Sequence, residues 1–185
     1  MNCGDHFSQT VGYFDELEND VYLKLLDEIE DWYTGNYPSG AIVNRVQRFY
    51  HTSGRSFCQG IWKEQHARWM SHEYPEWLME LQTTLGNELG CKFTSALINK
   101  YITGDDFIPA HSDTTPGIDL PVIASISFGT PRVFRVKSRK DATILDLLLQ
   151  SGDLLVMSGR SQLDYTHEIL KGETRSRRYN ITFRQ

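Results

Sequence analysis

Two histidines and an aspartate carry the chemistry of this chain. His111 and Asp113 stand two residues apart, and His167 follows 54 residues after Asp113. Two imidazoles and one carboxylate form the facial ligand set of a non-haem Fe(II) centre, which leaves coordination positions open for O2 and a cosubstrate. Near the C-terminus, Arg178-Tyr-Asn-Ile-Thr-Phe-Arg184 offers two guanidinium forks, whose geometry matches carboxylates. A dicarboxylate held by arginines beside ferrous iron points to an iron- and 2-oxoglutarate-dependent oxygenase.

The spacing inside these segments matters as much as the residue types. In an extended strand, residues two apart share a face. Arg178, Asn180, Thr182 and Arg184 therefore point one way, and Tyr179, Ile181 and Phe183 the other. That is the alternation of a strand lining a polar pocket, and equally of an exposed strand with a buried back. His111 and Asp113 share one face of an extended segment, while His167 must arrive from a distant one. Taken alone, a His-x-Asp pair also suits a surface hydrogen bond.

These residues need a scaffold, and the composition allows one. The chain has 185 residues, 39% apolar and 23% charged, enough for a sizeable core in a single domain. No apolar run is long enough to span a membrane. The N-terminus, Met-Asn-Cys-Gly-Asp-His, has neither the basic region nor the apolar stretch of a signal peptide. Cys3, Cys58 and Cys91 are odd in number and widely spaced, which indicates neither a disulfide framework nor a zinc site. An intracellular monomer, nuclear or cytoplasmic, is the expectation. The net charge of −5 argues against a long nucleic-acid footprint. Local basic clusters remain at Arg132, Arg135, Lys137, Arg139 and Lys140, at Lys171, Arg175, Arg177 and Arg178, and at Arg45, Arg48 and Arg55. Such clusters are usually solvated faces, yet one can hold a short single-stranded polyanion.

Periodicity predicts an amphipathic helix over 15–33, capped by Asp15, with Leu17, Val21, Leu25, Ile29 and Trp32 on its apolar side. A second helix starts at Pro75, carries Leu78, Leu81, Leu85 and Leu89, and closes at Gly90. Residues 41–50 read as a strand, and 51–74 as irregular. From Thr94 onward, short apolar runs at 96–102, 122–128, 133–136, 144–149, 153–157 and 179–183 are separated by turn signals. Strands of this length and spacing predict a sandwich or jelly roll rather than a parallel sheet.

Asn99-Lys-Tyr101, Thr103-Gly-Asp105, His111-Ser-Asp113, Pro121 to Gly129, Gly152 to Met157, Tyr165-Thr-His167 and Arg178 to Arg184 follow one another in the order and at the intervals of a known family. Over residues 97–184 the chain resembles the AlkB-like dioxygenases. The resemblance implies an α+β fold, with a double-stranded β-helix (jelly-roll) core and N-terminal helices packed on its sheet. It implies one domain over 1–185, with helices and a substrate lid in 1–93 and the catalytic core in 94–185. Fe(II) would be bound by His111, Asp113 and His167, with 2-oxoglutarate and O2 as cosubstrates. Arg178, helped by Tyr101, would pair with the distal carboxylate of 2-oxoglutarate. Arg184 and Asn99 would sit near its iron-chelating end, with Asn180, Ser125 and Thr182 lining the same pocket. The chemistry implied is conversion of 2-oxoglutarate to succinate with hydroxylation of a C–H bond. On an N-methyl group the product collapses to formaldehyde and the bare base.

Nucleic-acid members of the family flip a base into the site and stack it on an aromatic ring. Arg45-Val-Gln-Arg-Phe-Tyr50 is similar to the family's lid, so Arg48, Phe49, Tyr50 and Phe57 are candidate substrate contacts, with Thr115 and Met157. Each aromatic, and Met157, also suits an ordinary core. Members that act on cationic bases often carry acidic residues after the iron-binding Asp, where this chain has Thr114 and Thr115. The expected partner is methylated nucleic acid, single-stranded or with a flipped base. The alternatives are hydroxylation of a modified transfer RNA or of a protein side chain, and a binding module without oxidation.

Overall fold

The structure is a computed structural model, and it describes residues 6–35, 43–54, 71–113 and 118–185. Two antiparallel sheets stand face to face. The larger has the order β1-β8-β5-β10-β3-β2 and the smaller the order β4-β9-β6-β7. The strands are β1 (Phe7–Thr10), β2 (Val46–His51), β3 (Ser95–Tyr101), β4 (Ile108–His111) and β5 (Ile123–Gly129). They continue with β6 (Arg132–Ser138), β7 (Ile144–Leu149), β8 (Leu154–Met157), β9 (Tyr165–Ile169) and β10 (Arg178–Arg184). The helices are α1 (Glu16–Asp27), α2 (Glu76–Leu89) and the short turn α3 (Ser161–Asp164).

The alternation read in 178–184 sorts the whole larger sheet. Strand β10 is central and pairs along its full length with β3 on one side and β5 on the other. Its Tyr179, Ile181 and Phe183 join Ile98, Ile126 and Phe128 in one apolar core with Leu26 of α1 and Leu78, Leu81 and Leu85 of α2. Tyr101, Ile123, Leu155 and Met157 face the other way. They meet Phe134, Val136, Leu147, Leu149 and Ile169 of the smaller sheet in a second core. The sheet thus has a helix-covered side and a side that faces the smaller sheet.

Helix α1 begins where the sequence says, because Asp15 and Glu18 form a reciprocal capping box. It stops at Asp27 rather than near 33, since Tyr33 has left the helix to exchange backbone hydrogen bonds with Gln47. Its expected apolar face is corrected at Leu17 and Val21 and holds at Ile29 and Trp32, which pack on the core. Leu17 is 77% exposed and Val21 54%, whereas Leu26 is fully buried and Tyr22, Leu23 and Ile29 pack on the core. Three- and four-residue steps from 22 to 26 to 29 define the buried stripe. The Asp27 carboxylate then accepts hydrogen bonds from Arg177 and from the Tyr179 hydroxyl, tying the helix to β10. Helix α2 matches its expected limits, with Gly90 in the left-handed conformation that ends helices. Gly152 is required between β7 and β8: its φ is +83°, and a Cβ there would lie 2.7 Å from the Phe14 carbonyl oxygen.

Strands β1, β4 and β9 and the turn α3 were not anticipated from the apolar runs. Among the described residues, no helix is long and apolar enough to cross a membrane. Truncation separates the two readings of α1. Leu26→Ala should lower unfolding free energy by about 2–5 kcal/mol in urea titrations. Leu17→Ala should change it by no more than about 0.5 kcal/mol. The opposite order would restore the stripe through Leu17.

Candidate metal centre

Strand β4 ends at His111, directly opposite His167 of β9, and the two rings lie 4.4 Å apart between centroids. The ladder stops there, and Asp113 follows beyond its end. His111 Nδ1 is 2.9 Å from the Pro109 carbonyl oxygen. Donation to that oxygen fixes the tautomer and leaves the Nε2 lone pair facing inward. Asp113 presents Oδ1 to His111 Nε2 and Oδ2 to His167 Nε2, each at 3.7 Å. All three ligand atoms lie within 4.8 Å of one another. Packing rather than hydrogen bonding sets the His167 plane: Phe134 stacks on it at 5.2 Å and 16°, and its Nδ1 is buried without a partner.

The electrostatics suit a cation. Burial pushes the His111 pKa down to about 4, aided by the neighbouring His167 and opposed by Asp113, so the ring is neutral at physiological pH. Burial alone would raise the Asp113 carboxyl. The Arg184 guanidinium, 2.9 Å from Oδ1, and the two imidazoles outweigh it and hold the group well below the usual carboxylate range. Two imidazole nitrogens and one carboxylate, converging within 4.8 Å of one another, fit a divalent transition metal.

Beside the three ligands, the inward face of β10 makes a cationic pocket. Arg178 is 1% exposed. Its Nη2 donates to Ser127 Oγ at 2.8 Å, and its plane lies over the Tyr101 ring at 5.0 Å. Its Nε and Nη1 and the Tyr101 hydroxyl are buried, and among the described residues none of the three has a hydrogen bond of good geometry, the tyrosine and the guanidinium interacting with each other more loosely. Among the described residues no carboxylate pairs with this guanidinium. A buried, half-satisfied cation of this kind calls for an anionic ligand.

Asn180 closes a network of its own, donating to Ser125 Oγ and the Ile126 carbonyl and accepting from Thr182 Oγ1. Asn99 Oδ1 accepts from Arg45 Nε at 2.7 Å and Gln47 Nε2 at 2.8 Å, so only its N–H groups remain for a ligand. The strand registers put Asn99, Tyr101, Ser125, Arg178, Asn180, Thr182 and Arg184 on one face of the larger sheet.

The candidate substrate contacts divide. Arg48 and Tyr50 are removed from the set by the register of β2. Tyr50 packs in the helix-side core against the rings of His72 and Tyr74, and Arg48 donates to the Glu30 carbonyl and lies over Tyr50. Phe49 shares the metal-side face with Asn99 and is buried against Leu97 and Tyr33. Met157 is a core residue whose sulfur accepts from Gln162. Phe57 and Thr115 lie outside the described residues. Arg132, counted in a basic cluster, is 3% exposed and clamps the carbonyls of Gly104, Asp106 and Leu170. Several other basic residues are ion-paired: Arg135 with Asp146, Lys137 with Glu168, and Lys140 with Asp164.

Sequence reasoning missed Phe134, Ser127 and Gln162 at the site, and it placed Arg45 and Gln47 in the lid without a role. The alternation Phe134-Arg135-Val136-Lys137 is the signal that could have shown Phe134 as inward. Ser127 shares the parity of Ser125 within 121–129, and Gln162 lies outside the motifs that carry the resemblance.

The sequence model of the 2OG-Fe(II) oxygenase superfamily matches residues 10–184. Alpha-ketoglutarate-dependent dioxygenase alkB homolog 3 of Bos taurus is 34% identical over 182 residues, covering 92% of this chain and 59% of that protein. The DNA oxidative demethylase ALKBH2 of Arabidopsis thaliana is 32% identical over 120 residues, covering 51% of this chain and 38% of that protein. The chain therefore spans between two fifths and three fifths of the length of these curated relatives. The solved structure of OsALKBH1 matches with a TM-score of 0.73 at 17% identity over 100% of both chains, which shows the shared fold.

The low His111 pKa predicts an acid response of the metal-free protein. Between about pH 6.5, the ordinary value, and about pH 4, the unfolded chain binds more protons at this position than the folded one. Stability there rises with pH and is lost on acidification through that window. The urea midpoint of chelator-treated protein should fall across this range, and His111→Gln should fall less steeply. Equal slopes would show that His111 titrates normally.

Proposed function

The chain belongs to the 2OG-Fe(II) oxygenase superfamily as an AlkB-like dioxygenase, and from that premise we propose that it removes N-methyl groups from nucleic-acid bases. The observation that carries the oxygenase chemistry is the convergence of His111, Asp113 and His167 beside the buried, carboxylate-free guanidinium of Arg178. The substrate class is supported by the relatives, one of which is named a DNA oxidative demethylase. We read the two facing sheets as the double-stranded β-helix, with α1 and α2 on its outer side. We place the catalytic core in 94–185 and the substrate lid within 1–93.

In this reading His111, Asp113 and His167 hold Fe(II). The bound metal, with 2-oxoglutarate and O2, supplies hydroxylation of a C–H bond while 2-oxoglutarate leaves as succinate and CO2. Arg178 anchors the distal carboxylate of 2-oxoglutarate, and Ser127 fixes the guanidinium from behind. The Tyr101 hydroxyl donates to the same carboxylate. Asn99, its oxygen already engaged, offers its N–H groups to the chelating end of the cosubstrate. Arg184 pairs with Asp113 Oδ1 and keeps that carboxyl ionised. Asn180, Ser125 and Thr182 satisfy one another and stiffen the pocket wall. A hydroxymethyl group formed on a base nitrogen then breaks its N–C bond, releasing formaldehyde and returning the proton to the base.

Two measurements test this. Methylated single-stranded DNA and RNA oligonucleotides, incubated with protein, Fe(II), 2-oxoglutarate and ascorbate, should lose one methyl mass by mass spectrometry, and His111→Ala should abolish the loss. Succinate release without methyl loss would move the substrate to a modified transfer RNA or a protein side chain. Separately, Arg178→Met should raise the KM for 2-oxoglutarate by about 10- to 100-fold, the worth of a hydrogen-bonded charge pair, and leave metal affinity unchanged. An unchanged KM would remove Arg178 from the cosubstrate site.

A further inference from the structure

Asp113 has a structural problem that His111 and His167 do not share. Both histidines sit in the β4–β9 ladder and face each other across it. Asp113 lies two residues past the end of β4, and no strand partner holds its backbone. Its carboxylate must nevertheless place one oxygen toward each imidazole. A small rotation of the chain at Asp113 would move both oxygens away from the ligand position.

A single side chain takes over where the ladder stops. Gln162 Oε1 accepts the Asp113 backbone N–H at 2.8 Å. Gln162 lies in α3, is 4% exposed, and has its amide fixed from the other side. Nε2 donates to Ser161 Oγ at 3.2 Å and to Met157 Sδ at 3.5 Å. Reversing the amide would set two N–H donors against each other at Asp113. The turn that carries Gln162 is itself clamped. Arg160 and Lys140 both hold the Asp164 carboxylate, and the Asp164 carbonyl accepts from the Arg139 backbone. The same turn runs directly into β9 and reaches His167 five residues after Gln162. An apolar side chain would fill this buried position as well as an amide does. A buried amide is unfavourable unless its hydrogen bonds are made, so the bond to Asp113 is what the glutamine is suited to.

We propose that Gln162 is a positioning residue of the metal centre. It substitutes for the missing strand partner of Asp113 and locks the distance between the carboxylate ligand and His167. Outer residues that orient ligands typically contribute 10- to 100-fold in metal affinity. The proposal rests on the reading of His111, Asp113 and His167 as the metal ligands.

The test uses the full chain and Co(II), which reports on its own ligands by visible absorption without turnover. Wild-type protein should bind Co(II) with d–d bands that His111→Ala abolishes. Gln162→Met, similar in volume but lacking the acceptor, should keep the wild-type circular dichroism and weaken the Co(II) Kd by about 10- to 100-fold, with altered band intensities. A wild-type Kd and spectrum in a folded Gln162→Met protein would overturn the role of Gln162 and leave the metal centre standing. If Gln162→Met does not fold, Gln162→Asn withdraws the acceptor by one methylene while keeping an amide, and its Kd decides between the same two outcomes. Failure of the wild-type protein to bind Co(II) would remove the metal centre itself, and this inference with it.

Discussion

The rest of the structure depends on the register of β10. Seven consecutive residues pair with β3 on one side and with β5 on the other, so no slip is possible without breaking both ladders. A slip of one residue would exchange the faces. It would turn Tyr179, Ile181 and Phe183 toward the metal and drive the Arg178 guanidinium among Leu78, Leu85 and Phe128. The apolar cost of that exchange makes the register unambiguous, and the polar site inherits its precision from it. Arg178 is fully buried not because the site attracts it but because the opposite face of its strand is held in the helix-side core.

That arrangement concentrates positive charge between the sheets. Arg45, Arg132 and Arg178 are all buried, Arg184 is nearly so, and Arg184 pairs with the Asp113 carboxylate. Arg132 is balanced by carbonyl oxygens and Arg45 by Asn99. Arg178 has one hydroxyl and an aromatic face. A divalent metal adds two positive charges beside this group and a dicarboxylate removes two. Under the role proposed for Arg178, the cosubstrate dianion would offset both the metal and this guanidinium, so that binding of the two ligands is mutually favourable. The charge balance, more than any single contact, explains why a triad with one carboxylate and an arginine strand occur together.

Much of this was legible in the sequence, for an identifiable reason. The ligand triad and the β10 alternation are properties of residue type and parity, which survive without knowledge of partners. The helix α2 was legible because Pro75, four leucines and Gly90 agree. The α1 stripe was not, because Leu17 and Val21 satisfy the same periodicity as Tyr22 and Leu26, and only the sheet decides which stripe it covers. Strand β4 escaped because it is only four residues long and carries Pro109, and β9 because polar Thr166, His167 and Glu168 break any apolar run. Arg132 looked like part of a surface cluster, since a buried arginine bound to carbonyls leaves no trace in composition. Gln162 was invisible because it acts through a hydrogen bond to a residue distant in sequence, whereas the parity of Ser127 with Ser125 was there to be read.

Parity also bears on how a base could be held. Gln47 pairs with Asn99 and Phe49 with Leu97, so the odd positions of β2 share the cosubstrate face, and Arg48 and Tyr50 belong to the helix side. Two adjacent aromatics in a strand can never serve one pocket. Of the pair, only Phe49 can stack on a base that enters between the sheets, while Tyr50 anchors the strand from behind through Tyr74 and His72. Phe49 is covered by Tyr33, which pairs with Gln47 through two backbone hydrogen bonds. A base reaching Phe49 therefore exchanges one aromatic neighbour for another. Base–aromatic stacking is worth about 1–3 kcal/mol, and the packing of Tyr33 against Phe49 is what a base would have to replace.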